Sequence, residues 1–208
     1  MNLLALKKRW LALFLPELPT QKTVAAFDLM VSKYNEPHRH YHNLEHIQAC
    51  LHYFDDVRNL IEYPLAVEAA IWFHDVIYRP MGFGNERKSA EYARDELLKL
   101  GFTKYLVKTV VHLILATVHP SKPNSFDEKY MVDIDLAVLG SDSQAYDQYE
   151  KKVRMEYGWV PDFIYGRQRK KLLKSFLSRQ PIYHTLYFAD KFEKNAVQNI
   201  ERAVRDVE

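Results

Sequence analysis

The chain has 208 residues, 48% of them hydrophobic and 13% aromatic, which is enough for a globular core and excludes a disordered chain. The formal net charge of +2 gives no nucleic-acid-binding footprint, and the single cysteine, Cys50, excludes an intramolecular disulfide and a cysteine-rich zinc site. No stretch approaches the roughly 18 apolar residues that a membrane span needs. We therefore expect a soluble, cytoplasmic protein without a nucleic-acid or membrane partner.

The N-terminal segment has some features of a secretory signal, because Lys7, Lys8 and Arg9 precede an apolar run. The run is short, however, and Pro16 and Glu17 interrupt it before any small-residue cleavage site. Apolar residues at helical spacing instead indicate an amphipathic packing helix.

Helix-favouring residues and clear start signals predict helices along the rest of the chain. Thr20 caps a helix after a break at Pro16 and Pro19, Asn43 caps another, and Pro64 begins a central helix. We expect this central helix to run to residue 78. Further helices are expected over residues 85–101, from about 103 to 119, over 143–157 and 162–179, and from about 184, with an apolar segment at 131–139. The sequence lacks an alternating strand pattern, a repeat and a linker, so it predicts one all-α domain over residues 1–208, a compact helical bundle.

The apolar run at residues 70–78 carries a histidine and a carboxylate side by side, His74 and Asp75. Burial of an imidazole and an ionised carboxylate is costly unless a partner compensates them. The pair is either satisfied by hydrogen bonds alone or held to a metal ion, and the dipeptide by itself favours the hydrogen bonds.

Two further groups of histidines and carboxylates change that balance. His42 and His46 lie upstream, and Asp133 and Asp135 lie downstream in an apolar setting. Imidazole and carboxylate ligands suit zinc, iron, manganese or nickel, and a mixed set with open coordination positions is typical of a catalytic site. The sequence thus predicts a divalent metal ion held between separate helix segments.

The order of these motifs resembles the HD superfamily of metal-dependent phosphohydrolases. The stretch Tyr41-His42-Asn43-Leu44-Glu45-His46 precedes His74-Asp75, and Asp135 follows. Stretches at 85–90, 133–136, 154–157 and 179–183 also fit the small single-domain bacterial members, so the resemblance runs from about residue 39 to 199. It implies an HD-type helical bundle with a metal-site core at about residues 39–140 and packing helices at both ends.

This resemblance also implies roles for individual residues. His46, His74, Asp75 and Asp135 match the four metal ligands of the family, and Asp75 is also expected to orient the attacking water. The stretch around His42 is similar to one in cyclic-nucleotide phosphodiesterases, where the first histidine protonates the leaving oxygen.

The chain also departs from the family pattern. Val76 and Ile77 follow the His-Asp pair, so the extended motif linked to cyclic dinucleotides is absent. The additional histidine that phosphodiesterases have shortly after the pair is missing as well. A second metal is therefore in question, and His112, His119 or Glu86 would have to supply a ligand for it. Glu86 is also a candidate catalytic residue.

Several candidates have a second interpretation. His119 is either a cap at the C-terminus of its helix or a substrate-binding residue. Arg87 and Lys88 form either a solvated helix face or, at a helix start beside a glycine loop, a substrate-binding pair for phosphate. His112 is more simply a core or surface residue, and Asp133 a solvated or capping acid. The tyrosine and phenylalanine residues of the last three helices are expected in the core and not as a stacking platform.

We expect a metal-dependent hydrolase of a phosphoester bond in a small phosphorylated metabolite, a nucleotide being one candidate. Manganese, magnesium, iron, zinc and nickel all suit the site, and a bound metal brings the pKa of its water toward about 7. Proton donation by His42 to the leaving oxygen is typically worth roughly 10²–10⁴-fold. Two alternatives stay open. One is an HD-type di-iron oxygenase, and the other is a non-catalytic nucleotide-binding or partner-binding module with a structural metal.

Overall fold

The computed structural model describes residues 2–14, 20–118 and 122–206. Within them every regular element is helical, which confirms the expected all-α fold. The α-helices are α1 (Leu3–Ala12), α2 (Gln21–Tyr34), α3 (Leu44–Val57), α4 (Pro64–Phe73), α5 (Asn85–Lys99), α6 (Lys104–Ala116), α7 (Phe126–Leu136), α8 (Ser143–Glu156), α9 (Asp162–Leu177) and α10 (Leu186–Asp206). Short 3-10 helices span Arg58–Leu60 and Ala137–Gly140. None of these helices is long and apolar enough to cross a membrane.

The expected helix starts are confirmed where a cap was identified. The Thr20 side chain accepts a hydrogen bond from the backbone N–H of Thr23. The Asn43 side chain accepts one from the backbone N–H of Glu45, 2.8 Å away, and Pro64 is the first residue of α4. These caps satisfy N–H groups that have no acceptor within their own helix. The break predicted at Pro16 and Pro19 lies outside the described residues.

The central helix ends earlier than expected. α4 stops at Phe73, and His74 occupies its C-cap position, with its N–H still bonded to the carbonyl oxygen of Ala70. Asp75 lies in the turn that follows. The prediction of a continuous helix to Tyr78 is therefore wrong.

A buried arginine stabilises the turn that follows α4. The guanidinium of Arg39 donates to the carbonyl oxygens of Asp75, at 2.7 Å, and Val76, at 3.0 Å. It also donates to the carbonyl oxygen of His42, at 2.9 Å. Because these carbonyl groups find a donor outside the helix, the chain can turn away without leaving them unpaired. Arg39 thus joins the turn after α4 to the loop before α3.

The centre of the fold is α4. Every residue from Ala66 to Phe73 is buried, as expected for a helix surrounded by others. α3, α4 and α7 pack against one another, and one cluster of buried apolar side chains extends from Leu6 in α1 to Ile200 in α10. This packing brings the C-terminal end of α4 against α3 and α7.

The N-terminal helix packs as the sequence predicts. Leu6 and Trp10 are buried, and Arg9 ties α1 to two neighbouring helices. Its Nε lies 2.7 Å from a carboxylate oxygen of the buried Glu68 in α4, and its two terminal nitrogens each lie 2.7 Å from Asp55 in α3. A forked pair of this kind fixes the orientation of the helix as well as its position.

Asp133 proves to be a capping acid and is fully buried. Its carboxylate accepts hydrogen bonds from the backbone N–H groups of His184 and Thr185 and from the Thr185 hydroxyl, at 2.7–3.1 Å. Burial raises the pKa of Asp133 to about 6 against the effect of these bonds. The residue therefore fixes the chain that leads into α10.

Candidate metal centre and the cavity beside it

Three elements bring the four predicted metal ligands to one point. His46 projects from α3, His74 and Asp75 from the turn after α4, and Asp135 from the last turn of α7. The Nε2 atoms of the two histidines lie 3.1 Å apart. Oδ1 of Asp135 lies 3.2 Å from Nε2 of His46 and 3.4 Å from that of His74. Oδ2 of Asp75 lies 3.6 Å and 3.2 Å from the same two nitrogens. We call these four residues the donor cluster.

The separations within the donor cluster match those of ligands on a single ion. Ligand atoms about 2.1 Å from one ion lie about 3.0 Å apart in octahedral geometry and about 3.4 Å apart in tetrahedral geometry. The measured separations run from 3.1 to 3.6 Å. Two imidazoles with two carboxylates also form a ligand set that several divalent transition metals accept. The residues therefore fit a metal ion.

The hydrogen bond of the His74 ring favours the same conclusion. Nδ1 of His74 lies 2.9 Å from the carbonyl oxygen of Ile71. A carbonyl oxygen only accepts, so Nδ1 carries a proton, and Nε2 presents a lone pair to the cluster when it is deprotonated. A ring nitrogen fixed in this way by a backbone carbonyl is a common support for metal-ligating histidines.

The electrostatics of the donor cluster favour a positive charge at its centre. Burial works to lower the pKa of His74, but the carboxylates of Asp75 and Asp135 outweigh it and raise this pKa well above its usual value. Burial also opposes ionisation of the two carboxyl groups, yet the neighbouring histidines lower both of their pKa values. Two ionised carboxylates thus face the two imidazoles in a buried site.

Cys50 adds a donor that the sequence analysis did not assign to the site. Its Sγ lies 3.7 Å from Nε2 of His46, and ligand atoms of His46, Cys50, His74 and Asp135 all lie within 4.8 Å of one another. The signal was present, because residues four apart share one face of a helix. Burial and the charges of Asp135 and Asp75 raise the pKa of the thiol well above its usual value.

His42 lies beside the donor cluster but in the loop before α3, not on the helix itself. Its ring centroid is 6.1 Å from that of His46, and it lines the same cavity as Asp75 and Asp135. Its Nδ1 lies 2.6 Å from Oε2 of Glu156. A carboxylate oxygen accepts, so Nδ1–H donates to it, and Nε2 is left for the cavity side.

Glu156, at the end of α8, anchors this histidine. Its Oε1 accepts from the backbone N–H groups of His40, Tyr41 and His42 at 2.7–2.9 Å. Its Oε2 also accepts from the hydroxyl of Tyr78 at 2.8 Å, and the Tyr78 ring stacks on His42 with centroids 4.1 Å apart. Burial opposes the charge of Glu156, but hydrogen bonding to His42 lowers its pKa to about 2. Burial likewise opposes the charge of His42, and the bond to Glu156 raises its pKa.

The remaining predicted site residues separate into two groups. Glu86 lines the cavity at the start of α5. Arg87 and Lys88 are exposed and point away from the buried side of α5. Among the described residues that line the cavity, neither is present. Arg87 borders a separate depression of about 350 Å³ between α5 and α6. His112 is exposed on α6, and His119 lies outside the described residues, so its two roles stay predictions.

A cavity of about 610 Å³ opens beside the donor cluster. Asp75 and Asp135 form part of one wall, and aromatic side chains of α8, α9 and the segment between them form the other. Tyr149, Tyr157 and Tyr165 belong to this second wall and Phe163 is exposed, so the expectation holds only in part. Tyr146, Phe188 and Phe192 do lie in the core. The error arose because a periodic aromatic pattern does not tell which buried face borders a cavity.

Arg39 and Glu156 are the supporting residues that sequence reasoning missed. The stretch containing Glu156 was noted only for its family resemblance, and its partners lie 114–116 residues away in the chain. No local spacing rule reaches that far. Arg39 was passed over in a histidine-rich turn, where a buried arginine has no sequence signal of its own.

Comparisons of the chain with protein-family models, with curated proteins and with solved structures found no match. The resemblance to the HD superfamily therefore stays a hypothesis that is based on the residues themselves.

Proposed function

We propose that the protein is a metal-dependent hydrolase of phosphoester bonds in small molecules. The observation that carries the proposal is the convergence of four donor atoms from α3, α7 and the turn after α4, at separations of 3.1–3.6 Å. The adjoining cavity, at about 610 Å³, is within the usual size range of small-molecule sites. The motif order that resembles the HD superfamily supports the same chemistry.

His46, His74, Asp75 and Asp135 are the residues that would hold the ion. Since Asp75 and Asp135 also line the cavity, a ligand bound there reaches the donor cluster directly. A bound divalent ion supplies Lewis acidity to a phosphoryl oxygen and brings the pKa of a bound water toward about 7. Manganese, magnesium, iron, zinc and nickel all remain candidates.

His42 supplies the proton in this proposal. Glu156 fixes its Nδ1–H, so Nε2 of the protonated ring donates to the leaving oxygen of the substrate. The raised pKa of His42 favours the protonated form at neutral pH. General acid catalysis of this kind is typically worth roughly 10²–10⁴-fold. Asp75 orients the attacking water, and Glu86 is a third carboxylate on the cavity wall, with Asp75 and Asp135.

The proposal is tested by metal analysis of protein purified without chelator, followed by a phosphoester panel assayed with several divalent ions. We expect bound metal, and hydrolysis that a chelator abolishes and added metal restores. A protein that takes up no divalent ion, or that binds one and hydrolyses no member of the panel, would contradict the proposal.

Cys50 favours a second candidate, a non-catalytic module with a structural metal. A closed set of protein ligands is typical of structural sites, and the Cys50 thiol is near enough to the cluster to complete one. Cobalt substitution distinguishes the two candidates. A thiolate-to-cobalt charge-transfer band would indicate the structural set, whereas a spectrum without it and sensitive to added phosphate would indicate the open catalytic site.

A further inference from the structure

We infer that the substrate is the monophosphate ester of a largely apolar, ring-containing alcohol, rather than a nucleoside triphosphate or a small polar phosphate. This inference depends on the proposed function and names the substrate class of the same site. It is carried by the cavity wall opposite the donor cluster and by the distribution of charge around the cavity.

The wall opposite the donor cluster is mostly aromatic and aliphatic. Valine, isoleucine and leucine side chains of α8 and α9 border it. Its aromatic members are Tyr149, Tyr157, Trp159 and Tyr165. An alcohol with a ring buries apolar surface against such a wall, and its flat face packs well against aromatic side chains. A short polyol would instead lose its hydration without finding partners.

Other contacts hold this wall in place. Tyr149 and Tyr41 pack with ring centroids 4.6 Å apart. Arg154 donates to the carbonyl oxygens of Tyr157, at 2.6 Å, and Val160, at 2.9 Å, which fixes the segment that carries Trp159. A wall that is ordered before binding loses little freedom when a ligand packs against it.

The charges that line the cavity suit a single phosphate. Asp75, Asp135 and Glu86 are acidic, and among the described residues that line the cavity Arg169 is the only arginine or lysine. Arg169 is already engaged, because its guanidinium donates to both carboxylate oxygens of Glu150, at 2.7 and 3.1 Å. With a divalent ion bound and His42 protonated, the formal charges of the lining residues leave a surplus of one positive charge. That surplus suits a single phosphate and is too small for a diphosphate or triphosphate tail.

One polar group on the apolar wall can recognise the far end of the alcohol. Gln168 lies on α9, is exposed and lines the cavity. Its amide can both donate and accept a hydrogen bond. The alcohol is therefore expected to carry one polar group, such as a hydroxyl, a carbonyl or a ring nitrogen, away from its phosphate.

The test uses the full-length metal-loaded protein and two kinds of measurement. Steady-state phosphate release compares 3-phenylpropyl phosphate with glycerol 3-phosphate, and adenosine monophosphate with adenosine triphosphate. Calorimetric titration compares the binding of two phosphonates that cannot be hydrolysed, 3-phenylpropylphosphonate and propylphosphonate. We expect kcat/KM to be at least about tenfold higher for the first member of each ester pair, and the phenyl-bearing phosphonate to bind at least about tenfold more tightly.

A pair of variants connects the preference to the wall. Trp159→Ala removes an exposed aromatic side chain from the cavity wall, whereas the control Phe126→Ala removes one that is also exposed but lies away from it. We expect Trp159→Ala to reduce the ratio of phenylpropyl to glycerol phosphate hydrolysis and the affinity ratio of the phosphonates. Phe126→Ala should leave both ratios unchanged.

The hydrolase function and the substrate class fail in different ways. If esters are hydrolysed without a preference for the phenyl group, or triphosphate is hydrolysed as well as monophosphate, the substrate class is wrong and the hydrolase function stands. If no ester is hydrolysed but the phosphonates bind with the expected preference, the hydrolase function is wrong and the ligand preference stands. If the protein shows neither hydrolysis nor preferential binding, both the hydrolase function and the substrate class are wrong.

Discussion

The donor cluster and the His42–Glu156 pair use the same residue types in one buried region. They differ in how many hydrogen-bond donors their carboxylates have. Glu156 accepts hydrogen bonds from three backbone N–H groups, from the His42 ring and from the Tyr78 hydroxyl. In the donor cluster, two ring nitrogens and two carboxylate oxygens converge with separations of 3.1–3.6 Å.

This difference separates a hydrogen-bonded pair from a metal site. A carboxylate whose oxygens are fully used by donors is stable without a metal, even when buried. Acceptor atoms that face one another repel unless a proton or a metal cation lies between them. Under the proposed function, the cation belongs to the donor cluster and proton transfer to His42.

The largest expected effect is that of removing one carboxylate from the donor cluster. Asp135→Ala, and likewise Asp75→Ala, should abolish metal binding and activity while leaving the helical content unchanged, since both residues lie at the cavity wall. Metal content and circular dichroism measure the two outcomes. Full metal content in either variant would contradict the site assignment.

Asp133→Asn is the matched control for that experiment. Asp133 is buried two residues before Asp135, but its oxygens accept from His184 and Thr185. We expect this variant to retain its metal and to lose stability by about 1–3 kcal/mol, because buried donors lose part of their acceptor. Loss of metal with unchanged thermal stability would reverse the roles of the two aspartates.

Replacement of His42 should give the next largest effect. His42→Ala is expected to keep its metal and lose roughly 10²–10⁴-fold in the rate with an alkyl phosphate, whose leaving oxygen needs a proton. The loss should be much smaller with an activated aryl phosphate. A variant that loses its metal would make His42 a ligand, and one that hydrolyses both substrates normally would remove it from the mechanism.

A smaller effect is expected when the partner of His42 loses its charge. Glu156→Gln keeps an oxygen for the backbone N–H groups but removes the anion that raises the pKa of His42. Because His42 acts in its protonated form, the rate persists up to the raised pKa and falls above it. The alkaline limb of the pH–rate profile should therefore move to lower pH. At a fixed pH above this limb, the rate should fall roughly tenfold if the pKa of His42 falls by one pH unit.

The control for this change is Glu45→Gln. Glu45 is exposed and pairs with Lys152 across 2.7 Å, so its charge should not affect the alkaline limb. An unchanged profile in Glu156→Gln, with the variant folded, would show that the carboxylate does not set the proton affinity of His42.

Cys50→Ser should give the smallest effect. The carboxylates and burial keep the thiol protonated, and a protonated thiol is a poor metal ligand. We expect metal affinity within about tenfold of the unmodified protein, and retained turnover. Loss of the metal in this variant would support the closed structural site.

Local sequence signals were sufficient for the helix starts and for His74 and Asp75, whereas the complete set of four residues in the donor cluster came from the resemblance to a known family. Thr20, Asn43 and Pro64 begin their helices as expected, because caps act within one turn. His74 and Asp75 were identifiable because a charged pair in a buried run requires compensation. Asp133 and Asp135 lie on different sides of α7, but only the packing of α7 against α3 and α4 decides which of them meets the histidines.

The errors of the sequence analysis all concern contacts between distant segments. α4 ends at Phe73, and Arg39 binds the carbonyl oxygens of Asp75 and Val76 in the turn that follows, 36 and 37 residues away in the chain. Glu156 reaches His42 from a helix 114 residues away. The phosphate role expected for Arg87 depended on the side of α5 that meets the cavity, which the sequence of α5 does not reveal.

The most direct test of the central claim is to locate the metal by anomalous X-ray scattering in crystals of the metal-loaded protein. The account predicts an anomalous peak between Nε2 of His46 and His74 and the carboxylates of Asp75 and Asp135, with His42 still bonded to Glu156. A donor cluster without a peak in crystals soaked with each candidate ion, or a peak bound only by other residues, would contradict it.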